Sequence, residues 1–503
     1  MSFPFFGEEF KFTQPDGTQI PVRGWGDQNH AHFETLDGFT VVRDPQSGFY
    51  HYAMLSPEGD QLKSTSLRVG QTSPQALNLP SGVRINRTAG RTLAENGNGL
   101  PIPRWRERHD RSKAALRSAS TAAMPLTAPP PRQTLGKYQG LCLLIQFPDM
   151  SGTITQDEVE RFCNQPGYGG FGNHGSIHDY YRDNSVGKLE YKTVVAPYYT
   201  AQHPRDYYTN PSVPFGTRAR ELTQEALAWL VTQRFSFSDL SVDNESYVFA
   251  TNVFYAGQRV NNWSQGLWPH SSRLLVPYQL APGVFSLDYQ ITNIGEMLTL
   301  GTYCHENGHM LCDFPDLYDY ADSRLGVGYY CLMCQGGNAN PLNPAQICAY
   351  LKYRAGWASL LTPISKGMKV SAAATQNHFF IHRNNNTEYF LIENRNKTGR
   401  DEALTDSGLT IWHIDEQGSN SAPDQAPLGH RRFECVLVEA DGRTDLENGA
   451  NQGDNTDLFR NGFNARFADN TVPSSKWWDG TSSNLTIDNV GPAGQTIPFN
   501  ANV

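Results

Sequence analysis

The chain has 503 residues, 38% hydrophobic and 12% aromatic, with a net charge of −9. It is too long for a single core and too rich in core formers to be disordered, so two or three domains are expected. The acidic balance lacks the basic field of a nucleic-acid binder. No apolar run approaches the roughly 20 residues needed to span a bilayer.

The start, Met1-Ser-Phe-Pro-Phe-Phe-Gly, has neither the basic nor the long apolar stretch of an export signal. Residues 1–90 read as a β-rich domain, where Asp16-Gly17, Asp37-Gly38 and Ser47-Gly48 punctuate alternating stretches such as Phe39-Thr-Val-Val-Arg43. Residues 91–135 read as a linker. They hold the basic run Arg104-Trp-Arg-Glu-Arg-His-Asp-Arg-Ser-Lys113 and the stiff Pro129-Pro-Pro131, with few core formers. The arginines fit either a solvated linker or a processing site.

Residues 136–358 interleave strands and helices, the pattern of a mixed α/β domain. Gly140-Leu-Cys-Leu-Leu-Ile-Gln146 and Tyr247–Tyr255 are apolar runs suited to buried strands, while Ser176–Arg182 and Thr217–Val231 show helical spacing. A helix ends near Leu311, and another runs from about Pro344 to Tyr353. Beyond Trp357, strand follows strand at Phe379–His382, Glu388–Ile392, Leu409–His413 and Cys435–Val438, which predicts a β-sandwich over 359–503. The whole is a multidomain α+β chain.

None of the eight cysteines precedes Cys142, and five fall between Cys304 and Cys348. Cys331-Leu-Met-Cys334 looks like a redox or zinc CxxC, but Cys304 and Cys312 are too far apart to supply a second close pair. The even, clustered count favours one or two disulfides.

The chemistry concentrates in Gly301-Thr-Tyr-Cys-His-Glu-Asn-Gly-His-Met-Leu-Cys-Asp-Phe-Pro-Asp-Leu-Tyr-Asp319. On a helix, His305 and His309 lie four apart on one face and can point at one metal, with Glu306 beside the open coordination position to take a proton from a bound water. Zinc suits this set because it binds imidazole and acidifies its water. The following turn bears Asp313, Asp316 and Asp319, any of which can supply a third, oxygen ligand. Met333 then falls in a glycine-flanked turn, the second half of a metzincin signature. Farther on, Asp441, Asp445, Asp454 and Asp457 sit in Gly-bearing loops and offer hard oxygens suited to calcium. The same residues also read as plain solvated acidic loops.

At these motifs the sequence resembles the immune inhibitor A-like metalloproteases, secreted bacterial zinc endopeptidases related to metzincins. The likeness extends to Gln14-Pro-Asp-Gly-Thr18, Ser176-Ile-His-Asp-Tyr-Tyr181, Leu267-Trp-Pro-His270, Phe314-Pro-Asp-Leu-Tyr-Asp319, Gly408-Leu-Thr-Ile-Trp-His-Ile-Asp415 and Glu439-Ala-Asp-Gly-Arg443. It implies a metzincin-like catalytic domain, structural calcium, protein or peptide substrates and an extracellular setting. The family's HExxHxxG is followed by two residues and an aspartate ligand. Here Cys312 replaces the glycine and Pro315 occupies the ligand slot, so the Pro-Asp-Leu-Tyr-Asp alignment puts Asp316 in the third-ligand role, with Asp313 as the substitute. Met333 would floor the metal without ligating it, and Tyr318, Tyr329 and Tyr330 are equal candidates for assisting the oxyanion. His270 could line the cleft or be structural.

The resemblance also implies a proenzyme. Without a cysteine before Cys142, the block must come from a carboxylate, a histidine or steric cover, and Asp27, Asp37, Asp44, His30 and His32 are candidates. An N-terminal domain that only assists folding or substrate binding is the alternative. The rival function is a non-catalytic adhesin or carbohydrate-binding protein on a degenerate protease scaffold, using aromatics such as Trp477 and Trp478.

Overall fold

The computed structural model describes residues 3–71, 73–119, 133–425 and 431–503 and is a multi-sheet α+β structure. Its first 68 residues form two three-stranded antiparallel sheets, Phe5–Thr13, Gln19–Gly26 and Ala31–Thr35, then Val41–Arg43, Tyr50–Leu55 and Leu62–Arg68. Gly17 and Gly48 take the positive φ that these hairpin turns require, at 83° and 75°. Phe5, Phe10, Phe12 and Phe33 share one core with Phe215 and Trp268 from much later in the chain. The N-terminal unit is therefore packed onto the central one.

The central sheet runs in the order His270–Ala281, Val284–Asn293, Thr251–Tyr255, Gly136–Gln146, Leu189–Thr200. Its neighbours are parallel except at His270–Ala281, an antiparallel edge strand. The Gly136–Gln146 strand is apolar without alternation because both faces are covered. Cys142 and Leu144 join a core with the helices Gln156–Asn164, Ile177–Asn184 and Leu300–Cys312, whereas Leu141, Leu143 and Ile145 join another with the helix Thr217–Thr232.

The C-terminal region has a five-stranded sheet (Leu360–Pro363, His378–Arg383, Glu388–Arg395, Gly408–Asp415, Cys435–Leu437) and a three-stranded one (Met368–Ala373, Thr496–Asn502, Thr486–Asp488). Phe390, Ile392 and Ile411 share a core with Ile497 and Phe499 of the smaller sheet. Tyr389, Leu391 and Trp412 point the other way, into the core that holds the Leu300–Cys312 helix. The larger sheet is thus buried on both faces, and the C-terminal region is fused to the central one.

The structure departs from the sequence reading in two places. The stretch 91–135, expected to be a linker, takes in the end of the helix Arg87–Asn96 and the whole of the helix Arg104–Ala119; Pro129-Pro-Pro131 lies outside the described residues. All eight cysteines are free and buried, against the expected disulfides. Among the described residues no helix is long and apolar enough to cross a membrane.

Candidate metal centre

The Leu300–Cys312 helix is buried along almost its whole length. Polar bonds hold it in place: Tyr181 Oη donates to the Cys304 carbonyl at 2.6 Å, and Asn307 accepts from Tyr191 at 2.7 Å while donating to Asn252 at 2.9 Å. The helix ends at Asp313, whose φ of 53° is left-handed, a conformation that Asp tolerates better than most residues. That left-handed residue swings the chain back, and Asp316 returns to the two imidazoles.

Three ligand atoms converge. His305 Nε2 and His309 Nε2 are 3.1 Å apart, and Asp316 Oδ1 lies 3.1 Å from the first and 3.3 Å from the second. A tetrahedral ion with bonds of about 2.0–2.1 Å holds its ligands about 3.3 Å apart, so the triangle has the size of such a site. Each Nδ1 faces a backbone carbonyl, Leu332 for His305 at 3.0 Å and Phe314 for His309 at 2.6 Å. A carbonyl only accepts, so both Nδ1 atoms carry the proton and both Nε2 lone pairs turn inward. Burial alone would raise the Asp316 pKa, but positive charge beside Oδ1, from protonated His309 and His305 or from a cation held in their place, lowers it well below the carboxylate range.

Glu306 is 1% exposed, and neither of its carboxylate oxygens has a hydrogen-bond partner among the described residues. An orphaned buried carboxylate is costly unless a ligand or reactant completes it. It lines a cavity of about 190 Å³ with His309, Asp316, Tyr318 and Tyr320. Met333 is fully buried, and its sulfur lies 2.9 Å from where a Cβ on Gly308 would stand. The glycine inside His-Glu-Asn-Gly-His is therefore a packing requirement of the methionine turn.

Asp313 turns away and pairs with Arg108, whose Nε is 3.1 Å from Oδ2. Of the tyrosines considered, Tyr318 lines the cavity but donates to Asp27 at 3.0 Å, and Tyr330 donates to Asp457 at 2.9 Å. Tyr320, which sequence reasoning passed over, donates to Asp316 Oδ2 at 2.7 Å. His270 is buried between Phe215 and Tyr289, and burial pushes its pKa down to about 3.

The N-terminal segments close over this centre. The Trp105 ring stacks on His309 at 4.0 Å with an interplanar angle of 9°, and Phe3 meets His305 edge-on at 4.9 Å. The Arg104–Ala119 helix continues past Arg108 to the C-terminal region, where Lys113 Nζ is 2.9 Å and His109 Nε2 3.3 Å from Glu434. Of the other prosegment candidates, Asp27 is buried and accepts from Tyr318, which lines the cavity, and from the His30 backbone N–H. Asp37 and Asp44 are held in local turns by Thr35 and Ser47, and His32 pairs with Glu34.

A second group lies in the acidic loops. Asp441, Asp454 and Asp457 bring oxygens within 4.8 Å of one another. Asp445 stands outside that trio and pairs with Arg443 at 3.2 Å, and Arg443 also reaches Asp441 at 2.8 Å. Asp457 is fully buried, and its Oδ1 has no hydrogen-bond partner among the described residues. Burial, then the charges of Asp454 and Asp441, push its pKa up to about 7; burial and the charge of Asp457 push Glu439 up to about 8. Among the described residues, these two groups are the ones whose His, Cys, Asp or Glu side chains could hold a metal, and neither contains a cysteine.

No protein-family model matches the chain, and no curated protein matches its sequence, so a functional assignment has to rest on the geometry of the site.

Proposed function

We propose that this chain is a zinc-dependent endopeptidase made as a latent proenzyme, with His305, His309 and Asp316 as metal ligands and Glu306 as general base. One observation carries the reading: two inward-turned imidazoles and a carboxylate form a tetrahedral-sized triangle beside a buried carboxylate that has no hydrogen-bond partner among the described residues. Zinc bound there supplies an acidified water and a Lewis acid. Glu306 takes the water's proton at its carboxylate and later returns it to the leaving amine. Met333 packs beneath the helix and keeps the two histidines in register. In this reading the central sheet and its helices are a metzincin-like catalytic domain, residues 1–119 a prosegment and the C-terminal sheets a β-sandwich; the extracellular setting belongs to the same proposal.

Latency is supported by the aromatic ring set against each imidazole, Trp105 on His309 and Phe3 on His305. These rings stand where substrate would have to approach. The acidic trio is read as a calcium site, because a divalent cation would satisfy the orphaned Asp457 oxygen and relieve the repulsion that raises Glu439 and Asp457. The adhesin reading draws no support from Trp477, which is buried, while half-buried Trp478 stacks flat on His413 at 4.4 Å.

The deciding experiment measures bound zinc and casein cleavage for the intact chain and for the chain cut between residues 119 and 137, beyond the covering helix, and freed of its N-terminal piece. One zinc per chain and activity gained on cutting are expected. A chain that binds no zinc, or a zinc-loaded cut chain that leaves casein intact, overturns the proposal.

A further inference from the structure

Asp316 presents two different oxygens. Oδ1 faces the two Nε2 atoms at 3.1 and 3.3 Å, while Oδ2 accepts the Tyr320 hydroxyl at 2.7 Å. No other donor reaches Oδ2 among the described residues. A ligating carboxylate left to itself can rotate and offer both oxygens, which would consume the position that a catalytic metal must keep open. A hydroxyl fixed on the outer oxygen prevents that rotation.

Tyr320 is well placed to be rigid. It lies four residues beyond Asp316, in the turn between the short paired strands Tyr318–Asp319 and Asp322–Gly326. Its backbone N–H donates to the Ser421 carbonyl at 3.1 Å, and its ring packs edge-on against Tyr318 at 5.5 Å. The Arg106 guanidinium of the covering helix lies over its face at 4.8 Å, and Tyr320 is only 6% exposed. Both imidazoles donate their outer hydrogen bonds to backbone carbonyls; the carboxylate accepts its own from this one side chain.

Resting on the metal reading above, we propose that Tyr320 is a positioning residue for the metal centre: its hydroxyl holds Asp316 so that Oδ1 alone faces the two histidines. Outer partners of metal ligands typically contribute 10- to 100-fold in metal affinity. Tyr320→Phe removes the hydroxyl and keeps the ring against Tyr318 and Arg106. Tyr318→Phe removes a neighbouring hydroxyl that points to Asp27 instead.

The test uses the full-length chain, stripped of metal by chelation and titrated with zinc against a chromophoric chelator. Zinc should bind Tyr320→Phe roughly 10- to 100-fold more weakly than wild type, and Tyr318→Phe about as tightly as wild type. Cobalt substitution gives a second readout, since four-coordinate cobalt absorbs visible light much more strongly than five- or six-coordinate cobalt. The Tyr320→Phe spectrum should weaken, and that of Tyr318→Phe should not. Unchanged zinc affinity and an unchanged cobalt spectrum in Tyr320→Phe overturn the inference, as does equal damage from Tyr318→Phe. A metal-free Tyr320→Phe chain that melts as far below wild type as its zinc-loaded form also overturns it, because the hydroxyl then serves the fold. If wild type binds no zinc, the metal reading itself fails, an outcome distinct from all of these.

Discussion

Replacing Trp105 by alanine in the full-length chain tests the covering arrangement at its centre. Trp105 is 6% exposed and lies flat on His309, so the substitution loses both burial and stacking. Burial of a large apolar side chain contributes about 1.5–3 kcal/mol, and a well-placed aromatic pair about 0.5–1.5 kcal/mol more. The docked state of the cover therefore weakens by about 2–4.5 kcal/mol, and its open fraction rises about 30- to 1600-fold at tenfold per 1.4 kcal/mol. The Arg108–Asp313 and Lys113–Glu434 pairs remain, so the cover loosens without leaving. Cleavage of a fluorogenic peptide by intact Trp105→Ala should rise by that factor over intact wild type, with the cut chain as ceiling. Trp105→Phe, which keeps a smaller ring, should fall between. If the cut chain is active while intact Trp105→Ala stays as silent as wild type, the stacking contact does not maintain latency.

Further outcomes follow from the same geometry. In the cut chain, Glu306→Gln should retain zinc yet lose at least about 100-fold in rate; full proteolysis by this variant would falsify its role as base. Asp316→Ala should lose zinc affinity by more than the roughly 100-fold of an outer-partner change, together with activity. Asp313→Ala should keep zinc and, by freeing Arg108, raise the activity of the intact chain; the reverse ranking would move the third ligand to Asp313. Glu439 and Asp457 have folded pKa values of about 8 and about 7, above those of unfolded carboxyls, so their contribution to stability falls as pH climbs from about 4 through 8. Calcium held by Asp441, Asp454 and Asp457 would favour ionised Asp457 and ease the repulsion on Glu439 beside it, so the rise in Tm on adding calcium to EGTA-treated protein should be larger at pH 8 than at pH 6. Equal shifts at both pH values, or none, would remove the cation site.

The two histidines and Glu306 were legible because an α-helix carries its own geometry: residues four apart share a face in any context. The strands were legible for a related reason. An apolar run without alternation, as in Leu141–Ile145 or Tyr389–Ile392, already states that both faces are covered. Neither signal says by what. Leu391 and Ile392 are adjacent in sequence yet belong to different cores, and only the tertiary packing shows that the C-terminal sheet leans on the metal-site unit.

The covering helix failed to register for a physical reason. Trp105, His109 and Lys113 repeat every four residues and are all buried, so the helical period was present in the sequence. It was written in one aromatic and two cations because the surface beneath is itself polar: an imidazole at His309, then the Glu434 carboxylate. A search for apolar stripes assumes a greasy partner and passes over a helix that docks by charge. Burial alone would lower the pKa of His109, but the charge of Glu434 beside it raises the value, which marks the imidazole and carboxylate as mutually matched. Tyr320 was missed for a parallel reason. Its importance lies in a single oxygen of Asp316, four residues back across a turn, and no periodicity records a contact made by the way a turn closes. A segment dense in Arg, Lys and Glu therefore reads as linker only when no buried ionic surface elsewhere in the chain matches its spacing, and here Asp313 and Glu434 supplied that surface.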